Sequence, residues 1–341
     1  MRKYKFKGEK LIFREGLAPF NGSNGIGFIN KSGDIIIKPK FLDIGYGGVS
    51  KGFHEGLCRA SYRRRYGFIN KEGEFVIPPI YTNVQHYNEG VAAVLQEDKV
   101  SYITQGGDKA FEREFSTYSP FDRISLFAGD FHEGLANVFQ PTPEKFVCGF
   151  IDKTGEFVIK PEFDWLGNQY TFFSDGVAII RKDDYRHYGI LDREGNYFEN
   201  RRFDYSDRYF EKGIDGIRFR YGRKYGLIDK NANIIVDPIY EEIRYYTEKY
   251  LLVKLEGHWK LIDRLDNRIQ DYPDVEFMSQ FIDGLALVCS HNHFGFIDIT
   301  GQFIIEPTLT NAQRFSDGVA QVEIDGKWGL INTKGEKIAG F

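Results

Sequence analysis

The chain has 341 residues, and its 45 Lys and Arg against 49 Asp and Glu leave a net charge of −4. This balance gives no overall electrostatic drive toward nucleic acid or anionic membranes. The three cysteines, Cys58, Cys148 and Cys289, lie far apart and lack the spacing of zinc ligands or of a disulfide framework. Phe, Tyr and Gly are abundant, at 31, 21 and 37 residues, which favours many short strands joined by tight turns.

Basic residues open the chain, but the N-terminal sequence has no apolar stretch long enough for a signal peptide. No stretch approaches the ~20 consecutive apolar residues that a membrane helix needs. We therefore expect a cytoplasmic protein with no membrane partner. No phosphate-binding glycine loop, nucleophile elbow or Ser-His-Asp arrangement is evident, so no catalytic residue, cofactor or metal ligand is predicted.

One phrase recurs along the chain from Phe13 onward: an aromatic residue, two further residues, Gly and an apolar residue. Its glycine position recurs about every 38 residues, and only Lys249 is not Gly. We predict nine repeats in a single array, since internal repeats of this period build stacked or radial folds. The repeats start near residues 11, 51, 85, 129, 171, 208, 244, 279 and 313, and residues 1–10 could add a strand that closes the array.

Three strands are predicted in each repeat, as the first repeat illustrates. The apolar stretch 17–20 is too short for a helix and predicts the first strand. The second strand begins at Gly27, and the Lys-Ser-Gly sequence after it supplies a turn. The third strand ends or reaches a sheet edge at Pro39, because proline cannot donate to a strand ladder. The residues before the next repeat could form a short fourth strand.

The first strand carries a small residue at one position in seven of the nine repeats. These residues are Ala18, Cys58, Ala92, Ala136, Ala178, Ala286 and Ala320. Small side chains at one register predict close approach of many strands, as near the axis of a radial array. We therefore predict an all-β fold of antiparallel meanders in a β-propeller-like ring. An open, twisted solenoid of β-hairpins is the alternative, because nine blades exceed the usual four to eight and repeats 6 and 7 depart from the pattern.

The pattern resembles the WG-repeat family of bacterial proteins, which is named for a Trp-Gly pair at the start of the second strand. The last repeat is most similar, since SDGVAQVEIDGKWGLINTKGE contains Trp328 and Gly329. Repeat 7 keeps Trp259 without the Gly. In place of Trp, other copies carry Ile26, Tyr66, Cys148, Tyr188, Tyr225 or Phe294. The resemblance covers nearly the whole chain and implies a propeller-like interaction module, with no catalytic residues to carry over.

Two arginine-rich hairpins are the candidate ligand-binding sites. The first carries Arg63, Arg64 and Arg65 in repeat 2, and the second carries Arg220 and Arg223 in repeat 6. Interleaved Arg and Tyr side chains can bind phosphate or stack on a base. The alternative interpretation is a solvated hairpin tip, because charge runs commonly are solvated.

An acidic residue precedes the turn glycine in most repeats: Glu15, Glu55, Glu89, Glu133, Asp175, Asp283 and Asp317. Such a series could line a channel or hold cations, or each acid could bond a nearby backbone N–H. His291 and His293 could bind a metal from one strand face, but no further ligand is placed near them. The stretch from Lys99 to Asp130 departs from the repeat and could carry a binding loop.

We expect a non-catalytic binding scaffold that recognises a protein or polymer ligand through loops of the β-repeat ring. Exposed aromatic residues such as Tyr62, Tyr118 and Tyr170 would contribute contacts. Anion or nucleic-acid binding through the arginine hairpins is one alternative, although the acidic net charge argues against nucleic acid. An enzyme with a site on one face of the ring is the other, and the fold alone would not assign its chemistry. Because the repeating residues have structural interpretations, we expect function where the repeat fails, including repeats 6 and 7.

Overall fold

The structure, a computed structural model, describes residues 3–45, 51–116, 128–142, 145–164, 171–182, 188–199, 205–206 and 216–341. All regular elements in these ranges are β-strands. Across the same ranges there is no helix with the length and apolarity that crossing a membrane requires. The prediction of an all-β chain is confirmed.

The chain divides into two compact units. Unit 1 comprises Met1–Phe53, Lys212–Asp215 and Ile239–Phe341, and unit 2 comprises His54–Glu211 and Gly216–Pro238. Unit 1 therefore holds the first repeat together with the last three.

The described residues form nine antiparallel sheets, one in each predicted repeat. The strands of the first three sheets are β1 (Leu17–Gly22), β2 (Gly25–Asn30), β3 (Ile35–Phe41), β4 (Cys58–Tyr62), β5 (Arg65–Ile69), β6 (Phe75–Tyr81), β7 (Asn83–Val84), β8 (Val91–Gln96), β9 (Lys99–Thr104) and β10 (Phe115–Ser116). Those of the next three are β11 (Ala136–Pro141), β12 (Phe146–Ile151), β13 (Phe157–Asp164), β14 (Val177–Ile180), β15 (Gly189–Asp192), β16 (Tyr197–Glu199), β17 (Tyr205–Ser206), β18 (Ile217–Tyr221), β19 (Lys224–Ile228) and β20 (Ile234–Tyr240). Those of the last three are β21 (Glu242–Tyr246), β22 (Tyr250–Leu255), β23 (His258–Asp263), β24 (Arg268–Tyr272), β25 (Val275–Met278), β26 (Leu285–Ser290), β27 (His293–Asp298), β28 (Phe303–Leu309), β29 (Asn311–Ala312), β30 (Val319–Ile324), β31 (Lys327–Asn332) and β32 (Lys337–Gly340).

Each sheet is a meander, because strands that follow one another in the sequence lie side by side. The register repeats as well: Ala18 lies opposite Ile29 in the first repeat, and Ala320 lies opposite Ile331 in the last. The predicted array of three- to four-stranded antiparallel meanders is confirmed.

A two-residue turn precedes the first full strand of most repeats. In repeat 9, Asp317 and Gly318 both have positive φ, at 53° and 77°. Ser316 and Val319 on either side exchange backbone hydrogen bonds of 2.8 and 3.2 Å. This is type I′ geometry, which matches the right-handed twist of the strands it joins. The recurring acid–Gly pair is therefore the sequence of a hairpin turn.

The recurring glycine of the second strand, which is its third residue in repeats 1 and 8, is required by a bulge in the third strand. In repeat 8, the β27–β28 register shifts on either side of Phe296. A methyl group at Gly295 would lie 2.5 Å from the Ile305 carbonyl oxygen of the bulged strand. Repeats 1, 2 and 4 show both register shifts at the same place, and repeat 9 shows the second of them. All four keep the glycine.

Repeat 7 lacks both the bulge and the glycine. Its strands β23 and β24 pair without a register shift. Lys260 occupies the glycine position and lies opposite Asp271, and its Nζ is 2.7 Å from the Asp271 carboxylate. Because no bulged carbonyl crowds this position, a long side chain fits where other repeats need Gly.

The third strand forms an edge of its sheet, and in five repeats it contains a proline. These residues are Pro39, Pro79, Pro161, Pro238 and Pro307. The prolines lie within the strands rather than at their ends, which supports the edge interpretation. Proline and bulges protect an edge from pairing with another chain.

Apolar side chains of neighbouring sheets pack into shared cores. In unit 1, Phe296 of repeat 8 packs with Phe315 and Val322 of repeat 9. In unit 2, Phe68 of repeat 2 packs with Tyr87 of repeat 3, with ring centroids 4.6 Å apart. Burial of each such side chain contributes about 1.5–3 kcal/mol, so each repeat depends on its neighbour for its core.

Candidate functional site

The predicted arginines of repeat 2 lie at the exposed tip of the β4–β5 hairpin. Arg63 and Arg64 form the turn with positive φ values of 50° and 63°. The Arg63 guanidinium lies 5.2 Å from the centre of the Tyr62 ring, which is 49% exposed. Arg65 begins β5 and donates to the Thr82 hydroxyl at 2.9 Å.

The predicted arginines of repeat 6 lie on a separate hairpin. Arg220 is exposed near the end of β18, and Arg223 lies in the turn before β19. Arg218, two residues before Arg220 in the same strand, has its guanidinium 5.6 Å from the centre of the Tyr225 ring. The two tips belong to different sheets of unit 2, and ligand binding by these five arginines stays a prediction.

The recurring acids bond the backbone of the next repeat. The Asp317 carboxylate of repeat 9 accepts the Gly16 N–H of repeat 1 at 2.7 Å and lies 3.1 Å from the Lys31 Nζ. The same inter-repeat carboxylate bond joins Glu55 to the N–H of Gly90, Glu89 to Gly134, Glu133 to Gly176 and Asp283 to Gly318, at 2.8–2.9 Å. The backbone-bond interpretation holds for these acids, with the N–H supplied by the next repeat.

The histidines take part in packing and turn contacts. The His54 ring stacks on His86 with centroids 4.1 Å apart, and His132 stacks on Phe172 at 4.2 Å. Burial lowers the pKa of His132 below its usual value. His291 and His293 lie at a hairpin tip, and the described side chains include no group of three or more His, Cys, Asp or Glu arranged to hold a metal.

Some predicted features fall outside the described residues. They are Tyr118, Tyr170, the turn glycine Gly213 of repeat 6 and the middle of the 99–130 stretch.

The first and last repeats of unit 1 are joined by the N-terminal residues. The Tyr4 N–H donates to the Gly33 carbonyl of repeat 1 at 2.8 Å. The Gln313 side chain of repeat 9 donates to the Gly8 carbonyl at 3.4 Å. The Phe6 ring lies against repeat 9, since a methyl at Gly340 would come within 3.0 Å of it. This segment therefore contacts both repeats.

A cleft of about 610 Å³ opens where the N-terminal segment meets β31 and β32. Aromatic rings and lysines share its lining: Tyr4, Phe6, Trp328, Phe341, Lys3, Lys5 and Lys327. We call it the Trp328 cleft. Its volume is within the ~300–1,000 Å³ of sites that hold small ligands or side chains of a partner.

Alternation along the N-terminal segment places rings and charges on opposite sides. Lys3, Lys5 and Lys7 are exposed, while Tyr4 and Phe6 between them are half-buried. This period of two is that of extended backbone. The Tyr4 ring packs edge-on against Phe6, with centroids 5.2 Å apart, so the rings form a wall and the lysines stand at its rim.

The Trp328 cleft has an excess of positive charge. Lys3 is neutralised by Asp34 at 2.8 Å, and the hydrogen bond from Lys3 lowers the pKa of that carboxyl. Within the described residues, neither Lys5 nor Lys327 has an ion-pair partner. Burial and the Glu9 carboxylate raise the pKa of Tyr4 to about 12, so its hydroxyl is neutral at physiological pH. The cleft therefore offers cations and flat apolar surface together.

Sequence reasoning did not find the Trp328 cleft. Trp328 was recognised only as a repeat residue, and the N-terminal segment only as a basic stretch that could close the array. The alternation of Lys and aromatic residues from Lys3 to Lys7 is the signal that could have located it.

The profile of the family described as WG containing repeat matches residues 26–61, 66–99, 149–185, 225–259 and 294–328, more than half of the chain. The chain belongs to the WG-repeat family. This confirms the resemblance seen in the last repeat. No curated protein matches the WG-repeat chain in sequence.

Solved structures similar to the WG-repeat chain include a eukaryotic initiation factor, at 14% identity and a TM-score of 0.56 over 88% of each chain. Virginiamycin B lyase from Staphylococcus aureus is similar at 15% identity and a TM-score of 0.34, over 74% of this chain and 92% of that one. The likeness to the initiation factor shows fold alone. The predicted all-β, propeller-like repeat class is confirmed.

Proposed function

We propose that this WG-repeat protein is a binding scaffold whose Trp328 cleft holds an acidic, aromatic-containing segment of a partner protein. One observation carries the proposal: a single cleft combines four aromatic rings with two lysines that lack an ion-pair partner among the described residues. We also propose a cytoplasmic location, where its three free cysteines would stay reduced.

The ligand chemistry follows from the lining of the Trp328 cleft. Carboxylates of the partner would accept charge-assisted hydrogen bonds from Lys5 and Lys327. An aromatic or large aliphatic side chain would pack on Trp328 and Phe341. Trp328 and Lys327 belong to the paired strand β31, so this part of the lining is already ordered before binding.

The salt dependence of binding should distinguish the charge attraction of the lysines from the packing on the aromatic rings. The lysines are exposed, so their attraction to carboxylates is screened over a Debye length of ~10 Å at 0.1 M salt. Contacts with the rings are not screened. Affinity should therefore fall with salt without disappearing.

A titration with defined polymers tests the proposal. The probe is a random copolymer of glutamate and tyrosine, followed by Trp328 fluorescence, with Trp328→Phe identifying the source of the signal. The double variant Lys5→Glu/Lys327→Glu should weaken binding about tenfold or more, since reversal turns two attractions of ~0.2–1 kcal/mol each into repulsions.

The matched control is Lys38→Glu/Lys334→Glu, which changes net charge equally at exposed lysines outside the cleft. Equal weakening in both double variants would refute cleft binding. Aromatic rings and lysines also suit single-stranded nucleic acid. Tighter binding of single-stranded oligothymidylate than of the copolymer would therefore identify nucleic acid, and not a protein segment, as the ligand.

A further inference from the structure

Repeat 7 opens a second cleft in unit 1, at its boundary with repeat 8. Strand β24 has neither the bulge nor the proline of the third strands in repeats 1, 2, 4 and 8. It runs straight beside the turn that contains Thr300 and Gln302. A cleft of about 480 Å³ lies between them, which we call the repeat 7–8 cleft.

The repeat 7–8 cleft is lined by planar polar groups and apolar patches. Its lining residues are Tyr250, Leu261, Asp263, Arg268, Ile269, Gln270, Thr300 and Gln302. The Ile269 side chain is 62% exposed. Tyr250 and Leu261, on β22 and β23 of the same sheet, add further apolar surface to the lining.

Part of the polar lining is held in place by bonds within the protein. The Gln270 side chain donates to the Gly301 carbonyl at 2.9 Å, which leaves its own oxygen as an acceptor. The Thr300 hydroxyl donates to Asp298 at 2.7 Å, which leaves its lone pairs as acceptors. These two groups are therefore oriented before any ligand arrives.

Other polar groups are available to a ligand. The Gln302 side-chain amide makes no hydrogen bond within the described part of the chain, and it can both donate and accept. The Arg268 side chain is 76% exposed and bonds Asp266 at 2.7 Å. Donors and acceptors are thus mixed along the cleft.

The charges of the cleft nearly cancel. The Arg268 guanidinium lies 3.7 Å from the Asp263 carboxylate, and the Lys249 Nζ lies 3.9 Å from the same group. A strongly charged ligand would gain little from such a site, in contrast to the Trp328 cleft. A neutral ligand with many hydroxyl groups would satisfy both donors and acceptors.

We infer that the repeat 7–8 cleft binds a neutral saccharide. Sugar hydroxyls both donate and accept, which suits Gln270, Gln302 and Thr300. The C–H face of a sugar ring is apolar, which suits Tyr250 and Ile269. The cleft volume is that of a small-ligand site.

Isothermal titration of the full chain with maltohexaose, cellohexaose and chitohexaose tests this inference. At least one of the three should bind with millimolar or tighter affinity. Gln302→Ala should weaken that binding about 3- to 10-fold, the effect of one neutral hydrogen bond. Arg268→Ala should weaken it by a similar factor.

The controls are Gln96→Ala and Arg314→Ala, exposed residues outside the cleft, which should bind as the unaltered chain does. Binding that is lost equally in the controls, or that none of the three sugars shows, would overturn the inference. Preference for polygalacturonate over all three neutral sugars would overturn it as well, because the site would then be anion-selective. The copolymer experiment probes the Trp328 cleft, which shares no lining residue with this one, so the two results are independent.

Discussion

Repeats 7 and 8 are adjacent in sequence and in the same unit, yet they are built differently. Repeat 8 keeps Gly295, the bulged third strand with Pro307, and the bond from Asp283 to the Gly318 N–H. Repeat 7 has Lys260, a straight third strand and no acid–Gly turn. Two of these differences are linked, because a third strand without a bulge removes the need for glycine in the second strand.

The basic residue that follows the second strand also differs between repeat 7 and other repeats. In repeats 1 and 4, Lys31 and Lys153 reach back to Asp317 and Glu89 of the preceding repeat. In repeat 7 the corresponding residue, Arg264, donates to carbonyls of its own turn at Thr247 and Glu248, and to the Tyr246 hydroxyl. Arg264 of repeat 7 thus stabilises the turn of its own repeat. Lys31 and Lys153, in contrast, connect two repeats.

The largest expected effect is at the glycine of the second strand. Gly295→Ala should lower the free energy of unfolding by about 1–3 kcal/mol, because its methyl would overlap the Ile305 carbonyl oxygen. Lys260→Ala at the equivalent position should cost less, since it removes only a side chain paired with Asp271. Thermal unfolding followed by circular dichroism would compare the two variants. Equal losses of stability would contradict the proposed difference between repeats 7 and 8.

An effect of comparable size is expected at the inter-repeat carboxylate bond. Asp317→Ala removes an acceptor of the Gly16 N–H and the partner of Lys31, and should cost about 1.5–3 kcal/mol, as for other hydrogen bonds to a charged group. Glu248→Ala changes the exposed acid at the equivalent position of repeat 7 and should stay within about 0.5 kcal/mol of the parent chain. Urea unfolding of both variants would test this, and a larger loss for Glu248→Ala would contradict it.

Asp130, a buried acid outside the turns, should make the stability of the chain depend on pH. Burial raises the pKa of Asp130 from its ordinary 3.8 to about 7, against the opposing influence of Arg59. The folded chain therefore binds more protons here than the unfolded chain between those values, so stability falls as pH rises through that window.

Asp130→Asn should accordingly raise the melting temperature at pH 8 and change it little at pH 4. The control Asp325→Asn, at an exposed turn, should change the melting temperature equally at both values. A gain from Asp130→Asn that is the same at pH 4 and pH 8 would contradict the buried carboxyl.

The smallest effect is expected at the arginine tip of repeat 2. Arg63 and Arg64 both occupy positive φ, a region that Asn and Gly adopt more readily. The double variant Arg63→Asn/Arg64→Gly should stabilise the chain by less than about 1 kcal/mol. A loss of melting temperature would contradict this, and would show that contacts such as that of Arg63 with the Tyr62 ring outweigh the relief of positive φ.

Much of the fold could be predicted from the sequence because its signals are local. The acid–Gly turns and the alternating first strands depend on residues within one repeat, and nine copies reinforce each signal. The bulge was not predicted, although the glycine that it requires was seen at Gly27 and Gly295. A close approach of two backbones leaves no trace in the sequence beyond the glycine itself.

The sites were harder to predict because their residues come together only through packing. The partner of Glu89 is the N–H of Gly134, 45 positions further along the chain. The Trp328 cleft joins residues from opposite ends of the sequence, and the repeat 7–8 cleft depends on a missing bulge. The expectation that function lies where the repeat fails, as in repeat 7, stays a prediction, and it named none of the cleft residues.

The central claim is that repeated residues join the repeats while the Trp328 cleft binds the ligand. Melting temperature and copolymer affinity, measured on the same two variants, test it most directly. Asp317→Ala should lower the melting temperature and keep the affinity, whereas Lys5→Glu/Lys327→Glu should keep the melting temperature and lose about tenfold or more in affinity. The reverse pattern, or a parallel loss of both quantities in both variants, would contradict the account.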